Sequence, residues 1–336
     1  MTIDLPTIPP IAFIAIGALL GLMVGSFLNV VIARLPVMMA RDWRGQCAEL
    51  CGRSLRAGHG PRGNASEEAL CHLVRCRLIR DSGDKSATAA SVDGSVIDGA
   101  VHGPDNRPGG IRPGDIREAP FNLMAPRSHC PHCGHTLSIT ENIPLISYLL
   151  LGGRCAACHL PIPARYPLVE SAGAVMAGIV AWRLGVCVPA IWAMILTWIL
   201  IALAFMDFEH QQLPDAITLP TLWLGLTLNL FTIYTSVAHA VIGAILGYGV
   251  LWIVYHLFRF LTGKEGMGYG DFKLFAMAGA WLGWQALPAI LLMASVAAAT
   301  VGIALIRLGG HDRNVPIPFG PYIAMATWVV LLWGAY

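Results

Sequence analysis

The chain has 336 residues, of which 56% are hydrophobic and 12% are charged, and its mean hydropathy is +0.62. This composition is too apolar for an ordinary soluble globular protein and indicates a protein of the lipid bilayer. The net charge of +2 does not indicate nucleic-acid binding, so no nucleic-acid partner is expected.

Eight apolar stretches predict transmembrane helices, because a hydrocarbon core of about 30 Å requires about 20 apolar residues in a helix. The first covers 11–33 and continues into Arg34 without a small-residue cleavage site, so we expect it to remain as an anchor. The others cover roughly 167–182, 189–206, 213–233, 238–260, 272–285, 286–306 and 316–335. Only a weak polar break at Trp284 and Gln285 separates the sixth stretch from the seventh. The expected fold class is an all-α polytopic membrane protein with about eight transmembrane helices.

The polar segment 34–166 is too long for a simple membrane connection and predicts an extramembrane loop domain. Within it, 51–120 is rich in Gly, Ser, Asp and Arg and poor in aromatic residues, which predicts a disordered insert. The part 122–165 is Cys-rich, with Pro and Gly at turn positions, which indicates a compact module. The remaining 167–335 is expected to form a seven-helix membrane domain. If the loop domain is cytoplasmic, the other Lys and Arg residues fall mainly on the same side and both termini lie outside.

Two C-x-x-C knuckles lie in the Cys-rich module, Cys130 with Cys133 and Cys155 with Cys158. Each presents two thiolates from one tight turn, and together they supply the tetrahedral set of a closed structural zinc site. The sequence therefore predicts a zinc-ribbon-like module that binds Zn²⁺. Disulfides and unligated thiols are the alternatives, and a cytoplasmic location argues against disulfides.

The other cysteines and the nearby histidines carry weaker indications. Four upstream cysteines leave a second metal site open, and Cys187 is expected to be a plain thiol. Histidines beside the knuckles are expected to be solvated neighbours, because four Cys complete a tetrahedral site. The upstream cysteines are Cys47, Cys51, Cys71 and Cys76. The histidines beside the knuckles are His129, His132, His135 and His159.

Three acidic residues lie at the ends of predicted membrane helices, where an ionisable group is costly and is a functional candidate by default. Asp215 lies beside a Pro at a helix start, so it is expected to cap that helix. Asp207 ends a helix and has no comparable structural role. Asp271 follows Gly266, Gly268 and Gly270, which are expected to let another backbone approach closely. Two carboxylates sharing one proton can hydrolyse a peptide, and Asp207 with Asp271 is the expected pair.

These residues resemble the type IV prepilin peptidases, which are related by mechanism to the GxGD intramembrane aspartyl proteases. The resemblance extends over the chain except for about 51–120. Its motifs are Gly25-Ser26-Phe27-Leu28-Asn29-Val30-Val31, Arg34-Leu35-Pro36, the two knuckles, Glu141-Asn142-Ile143-Pro144, Arg165-Tyr166-Pro167-Leu168-Val169-Glu170, Leu213-Pro214-Asp215, Gly268-Tyr269-Gly270-Asp271 and Pro318-Phe319-Gly320-Pro321.

The resemblance implies a multi-pass protease of the bacterial inner membrane, with the loop domain cytoplasmic and both termini periplasmic. Its substrates would be prepilins and type II secretion pseudopilins, cut by Asp207 and Asp271 after a basic leader. It also implies methylation of the new N-terminal residue by S-adenosylmethionine, for which Gly153 and Arg154 are the matching positions. The family often has Lys where Arg154 stands, and the two cations differ in geometry.

A proton- or ion-coupled transporter is the alternative, because acids in Gly-interrupted helices also form ion pathways. Against it, the acids cluster at one membrane face and no internal repeat is visible. A non-catalytic assembly scaffold is a third possibility, but it leaves Gly268-Tyr269-Gly270-Asp271 unexplained. The sequence therefore favours the protease.

Other residues in the predicted helices carry structural expectations. Glu170 is expected to pair within the bundle or to line a wet cavity. His239 and His256 are expected to be interface or core residues, and the small residues Gly243 and Gly247 predict a helix-packing face.

Overall fold

The computed structural model describes residues 9–56, 122–124, 128–130, 133–138, 140–263, 267–309 and 318–334. Its internal contacts divide the chain into two units, Met1–Pro36 with Arg127–Tyr336, and Val37–Pro126. The described part is helical, with two isolated β-bridges in the Cys-rich module. The predicted all-α fold class is therefore confirmed.

Some predictions fall outside the described residues. They concern the disorder of 57–120, the metal-binding capacity of Cys71 and Cys76, and the role of His132. The side chains of Cys47 and Cys51 are outside the description as well, so a second metal site stays untested.

Nine α-helices lie in the described part of the chain. They are α1 (Pro10–Arg56), α2 (Ile146–Leu150), α3 (Arg165–Leu184), α4 (Val188–His210), α5 (Asp215–Leu230), α6 (Val237–Thr262), α7 (Tyr269–Leu282), α8 (Leu287–Gly309) and α9 (Gly320–Trp333), with 3-10 turns at Thr140–Asn142 and Trp284–Ala286. The break predicted at Trp284 and Gln285 is the second of these turns, entered through Gly283 at a φ of 82°.

Each predicted apolar stretch corresponds to one of these helices. Among the helices in the described part of the chain, only α2 has no corresponding apolar stretch. Five helical segments are long and apolar enough to cross a membrane: Pro10–Trp43, Arg165–Leu184, Val188–His210, Val237–Thr262 and Trp284–Arg307. Helices α5, α7 and α9 are shorter, with 16, 14 and 14 residues. The multi-pass character agrees with the prediction, and the number of eight spans stays a prediction.

Helix α1 differs from its prediction, because it continues past Ala33 to Arg56 instead of giving way to a loop. The residues after Pro36 include many Met, Ala, Arg, Gln, Glu and Leu, all good helix formers, although their polarity indicates a loop. The first part of the predicted loop domain is therefore helical, and this helix includes the first residues of the predicted insert, 51–56. In the second unit the structure also describes 122–124, where Met124 N–H donates to Asn122 Oδ1 at 2.8 Å.

Helix α7 is the most deeply buried helix that the structure describes, with residues 274–282 all buried. Helix α6 packs against it through glycines. A Cβ on Gly243 would overlap the Gly279 carbonyl, and a Cβ on Gly247 would lie 2.8 Å from the Ala276 Cα. Only glycine permits two backbones to approach this closely, so the predicted packing face at Gly243 and Gly247 is confirmed.

Polar contacts fix helix α5 against α7 and involve the backbone of both helices. The Trp281 indole N–H donates to the Thr221 carbonyl oxygen at 2.9 Å, and the ring fills the space where Gly225 lacks a Cβ. Asn229 donates to the carbonyl oxygens of Ala280 and Trp281, both at 2.9 Å. These bonds satisfy carbonyl oxygens in the last turn of α7 and fix that turn against α5. The candidate site lies at the opposite end of α7.

Glu170 is buried in α3 and is paired, which agrees with the first of the two expectations for it. Its Oε2 accepts a hydrogen bond from Leu145 N–H at 2.9 Å, and its carboxylate is hydrogen-bonded to Ser26 of α1. Nearby, Asn29 Nδ2 donates to the Tyr166 carbonyl oxygen at 3.1 Å. These bonds connect α1, α3 and the segment that enters α2.

Candidate active site and metal centre

The two carboxylates predicted to carry the chemistry come from different helices. Asp207 lies in the last turn of α4 and Asp271 in the first turn of α7, and both are buried. Helix α4 ends soon after Asp207, because Gln211 adopts a left-handed conformation and its N–H bonds to the Asp207 carbonyl oxygen at 2.9 Å. The two carboxylates are close enough for their charges to interact, so the fold brings the predicted pair together.

Gly320, the first residue of α9, completes the surroundings of Asp207. Its backbone N–H donates a hydrogen bond to Asp207 Oδ2 at 2.9 Å. A Cβ on Gly320 would lie 2.6 Å from the same oxygen, so a residue with a side chain would displace the carboxylate. The sequence motif alone assigns no role to this glycine. The available signal is its place in Pro318-Phe319-Gly320-Pro321, at the start of the last apolar helix.

The two glycines predicted to support Asp271 have different surroundings. A Cβ on Gly270 would lie 2.8 Å from Leu213 Cβ, so the loop before α5 packs closely there. On Gly268, the N-cap of α7, a Cβ would meet nothing nearer than Asp271 Oδ2 at 3.9 Å. The expected close approach of another backbone is therefore not found at either glycine. The Leu213 side chain packs against Gly270, and the space beside Gly268 is open. Gly266 lies outside the described residues.

Asp215 does not cap α5 as expected, since no side-chain hydrogen bond caps this helix. Its carboxylate instead accepts two hydrogen bonds from Lys273 Nζ, at 2.6 and 2.7 Å. The expectation failed because α7, which carries Lys273, approaches α5 only in the folded chain. The acidic charge still lies in the first turn of α5, where it complements the helix dipole.

The four predicted metal ligands lie together in the Cys-rich module. The Sγ atoms of Cys130, Cys133, Cys155 and Cys158 are all within 4.8 Å of one another, with 3.8 Å between Cys130 and Cys158 and 3.9 Å between Cys133 and Cys155. A tetrahedral zinc ion at about 2.3 Å from each sulfur requires sulfurs about 3.8 Å apart, whereas a disulfide requires about 2.05 Å. The donor set therefore fits zinc, and no histidine among the described residues joins the group.

The two knuckles have the same backbone hydrogen bonds. In each, the N–H of the first Cys, Cys130 or Cys155, donates to the carbonyl five residues later at 2.9 Å. The N–H four residues later donates back to the Cys carbonyl, at 2.9 and 3.0 Å. Gly134 and His159 take the equivalent place, with positive φ angles of 72° and 56°. This repeated turn directs the two thiol pairs to one point.

Gly153 and Arg154, the predicted methylation residues, lie directly before the second knuckle. Gly153 N–H donates to the Tyr148 carbonyl oxygen and its own carbonyl accepts from Ile162 N–H, both at 2.8 Å. A Cβ on Gly153 would lie 3.0 Å from the Tyr148 ring, and its φ is 70°. The backbone polar groups of Gly153 are therefore engaged in the turn, and the Arg154 side chain is exposed. The role of both residues in methylation stays a prediction.

Comparison with known proteins agrees with the motifs. The model of the bacterial peptidase A24 N-terminal domain matches residues 19–184, and the model of the type IV leader peptidase family matches residues 194–303. Proteins named prepilin leader peptidase/N-methyltransferase from Stutzerimonas stutzeri, Pseudomonas aeruginosa and Burkholderia pseudomallei are 44%, 43% and 40% identical to the chain. These matches cover 97%, 97% and 98% of this chain and 92%, 92% and 87% of the relatives. No solved structure matches. The chain therefore belongs to the type IV leader peptidase family.

Proposed function

We propose that this chain is a membrane aspartyl endopeptidase that removes the basic leader from type IV prepilins and type II secretion pseudopilins, with Asp207 and Asp271 as catalytic residues. The observation that carries the proposal is the pair of buried carboxylates from α4 and α7 whose charges interact. The family and the relatives named prepilin leader peptidase/N-methyltransferase support the substrate class. They give no support to the transporter alternative.

Hydrolysis by this pair requires one ionised and one protonated carboxyl group. The ionised carboxylate takes a proton from water as the water oxygen attacks the scissile carbonyl carbon, and the protonated group donates to the carbonyl oxygen. When the tetrahedral intermediate collapses, the C–N bond breaks and the leaving nitrogen takes a proton from the pair. The Gly320 N–H holds one oxygen of Asp207 in place during these steps.

The proposed location is the bacterial inner membrane, with the loop domain cytoplasmic and both termini periplasmic. Five helices long and apolar enough to cross a membrane and the distribution of Lys and Arg support it. In this orientation the two aspartates lie at the cytoplasmic face, where a basic leader remains before cleavage. The proposed domains are the first transmembrane segment at 11–33, which is the first part of α1, the loop domain at 34–166 with its metal module at 122–165, and the peptidase domain at 167–335.

Zinc is the proposed metal of the module, with a structural role. Four thiolates at tetrahedral spacing support zinc over hard cations, which prefer oxygen ligands. Bound zinc would join the two knuckles, and the hydrogen bond from Leu145 to Glu170 would connect the ordered module with α3.

A second proposed activity is methylation of the new N-terminal amine with S-adenosylmethionine as the methyl donor. The relatives' names, which include N-methyltransferase, support it. Of the two proposed residues, Gly153 shapes the turn before the knuckle. The exposed Arg154 guanidinium has the charge and the donors to bind a carboxylate of the methyl donor.

The test of the protease is cleavage of a prepilin in lipid vesicles by the wild type, Asp207→Asn and Asp271→Asn. Each substitution removes one member of an acid–base pair, so cleavage should fall by about 10²–10⁴-fold or more. Asp42→Asn, which changes an exposed carboxylate in the later part of α1, is the control and should cleave normally. Thermal unfolding and zinc content establish that each variant is folded. If both folded Asn variants still cut, the catalytic assignment is wrong.

A further inference from the structure

An ion pair braces the helix end that carries Asp207. Glu209, two residues later in the last turn of α4, accepts a hydrogen bond from Arg165 Nη1 at 2.5 Å. Arg165 is the first residue of α3, and its guanidinium also lies 4.8 Å from the centroid of the Tyr166 ring. Arg165 and Glu209, which we call the α3–α4 pair, therefore connect the end of α4 with the beginning of α3.

A second ion pair has the same relation to Asp271. Lys273, two residues after this aspartate in α7, donates to both carboxylate oxygens of Asp215, the first residue of α5. Lys273 and Asp215, which we call the α5–α7 pair, therefore connect the beginnings of α5 and α7. Each proposed catalytic aspartate thus has a charged residue two positions later whose partner lies on a neighbouring helix.

Neither pair is placed to contact the reacting groups. Residues two apart on an α-helix point about 200° away from each other, so Glu209 and Lys273 project away from the side of the helix that carries the aspartate. The exposures agree: Asp207 and Asp271 are 7% and 6% exposed, whereas the four ion-pair side chains are 20% to 54% exposed. Each pair is neutral overall and adds no net charge near the aspartates. What each pair fixes is the rotation and position of a helix end.

Small displacements at these helix ends affect catalysis far more than they affect folding. A partly exposed ion pair adds little to stability. Two carboxylates that share one proton and one water require a defined separation, and a displacement of about 1 Å in a catalytic site can cost about 100-fold in rate. The two pairs are therefore expected to act on turnover.

We propose that the α3–α4 pair and the α5–α7 pair are positioning residues that hold Asp207 and Asp271 in the orientation needed for hydrolysis, an inference that rests on the proposed catalytic function. The pairs act on the two aspartates separately, one on each helix. Breaking either pair misplaces one carboxylate and leaves the other in place.

The test is steady-state cleavage of a prepilin by the full chain in vesicles, with each pair broken singly and doubly. The single variants are Arg165→Gln, Glu209→Gln, Lys273→Gln and Asp215→Asn. We expect kcat to fall about 10- to 100-fold with KM within about twofold of wild type. Each double variant should be no worse than its worse single variant, because the first substitution already removes the interaction. Lys273→Arg and Glu209→Asp, which keep the charges, should recover part of kcat.

The matched control is Arg183→Gln, which removes an exposed Arg from the opposite end of α3 and should keep the wild-type kcat. Wild-type kcat in the broken pairs, a rise in KM alone, or a loss of melting temperature that accounts for the lost activity would each overturn the inference. Failure of the proposed function gives a separate result, since Asp207→Asn and Asp271→Asn would then still cleave.

Discussion

The surroundings of Asp207 and the Cys-rich module hold their functional groups in different ways. Around the aspartates, the positions of Gly320 and Gly270 leave no volume for a Cβ. In the module, among the residues described between 128 and 164, Cys155 alone is buried. A small module without an apolar core depends on metal ligation to fold. Packing therefore positions the carboxylates, whereas the proposed metal ligation would position the thiolates, so the two regions should respond to different perturbations.

Removal of the metal is expected to have the largest effect and to act on the module alone. A structural zinc ion contributes on the order of 10 kcal/mol to the folding of a small domain. In Cys155→Ser, and in the chelated wild type, amide hydrogen exchange in 128–164 should approach that of an unfolded chain while α4 and α7 stay protected. Exchange measured by mass spectrometry after zinc quantification tests this. Cys187→Ser changes a thiol outside the cluster and is the control, and a protected module without metal contradicts the comparison.

Gly320→Ala tests the packing side of the comparison. The added Cβ would lie 2.6 Å from Asp207 Oδ2, so the carboxylate must move and lose its hydrogen bond from the backbone. We expect cleavage to fall by about 100-fold with zinc content unchanged. Gly249→Ala in α6 is the control, because a Cβ there meets no atom within 4 Å. Near-normal cleavage by Gly320→Ala would show that the carboxylate is not held by packing.

Gly270→Ala and Gly268→Ala form a matched pair with a smaller expected effect. At Gly270 the new Cβ would lie 2.8 Å from Leu213 Cβ, and such overpacking costs about 1–3 kcal/mol. At Gly268 the space is open, so Ala should be tolerated with little change. The melting temperature of the membrane domain and the cleavage rate should both fall for Gly270→Ala and stay near wild type for Gly268→Ala. Equal losses of melting temperature and cleavage rate at the two positions would mean that backbone freedom, not packing, requires glycine at Gly268 and Gly270.

Features carried by a local pattern could be predicted from the sequence. Apolar runs located the helices, the two knuckles identified Cys130, Cys133, Cys155 and Cys158 as a group, and the positions of Asp207 and Asp271 at helix ends suggested a pair. Each of these signals depends on residues close together in the chain. The structure brings both groups together.

Contacts between distant parts of the chain could not be predicted. The bond from Gly320 to Asp207 and the ion pair of Asp215 with Lys273 depend on how helices pack, which no local pattern specifies. The extension of α1 to Arg56 was missed for another reason. The low hydropathy of the charged residues after Pro36 predicts a loop, whereas Arg and Glu have a high intrinsic helix propensity.

The three short helices have a consequence for the membrane around the site. Helices α5, α7 and α9 all begin beside the aspartates, and with 16, 14 and 14 residues they rise about 24, 21 and 21 Å, less than the hydrocarbon thickness of about 30 Å. In the proposed orientation these helices span the membrane, and spans this short are accommodated by local thinning of the bilayer. Thinning would bring bulk water closer to the two carboxylates that are proposed to activate it. Under the proposed function, acyl-chain length then becomes a variable of catalysis, with slower cleavage expected in thicker membranes.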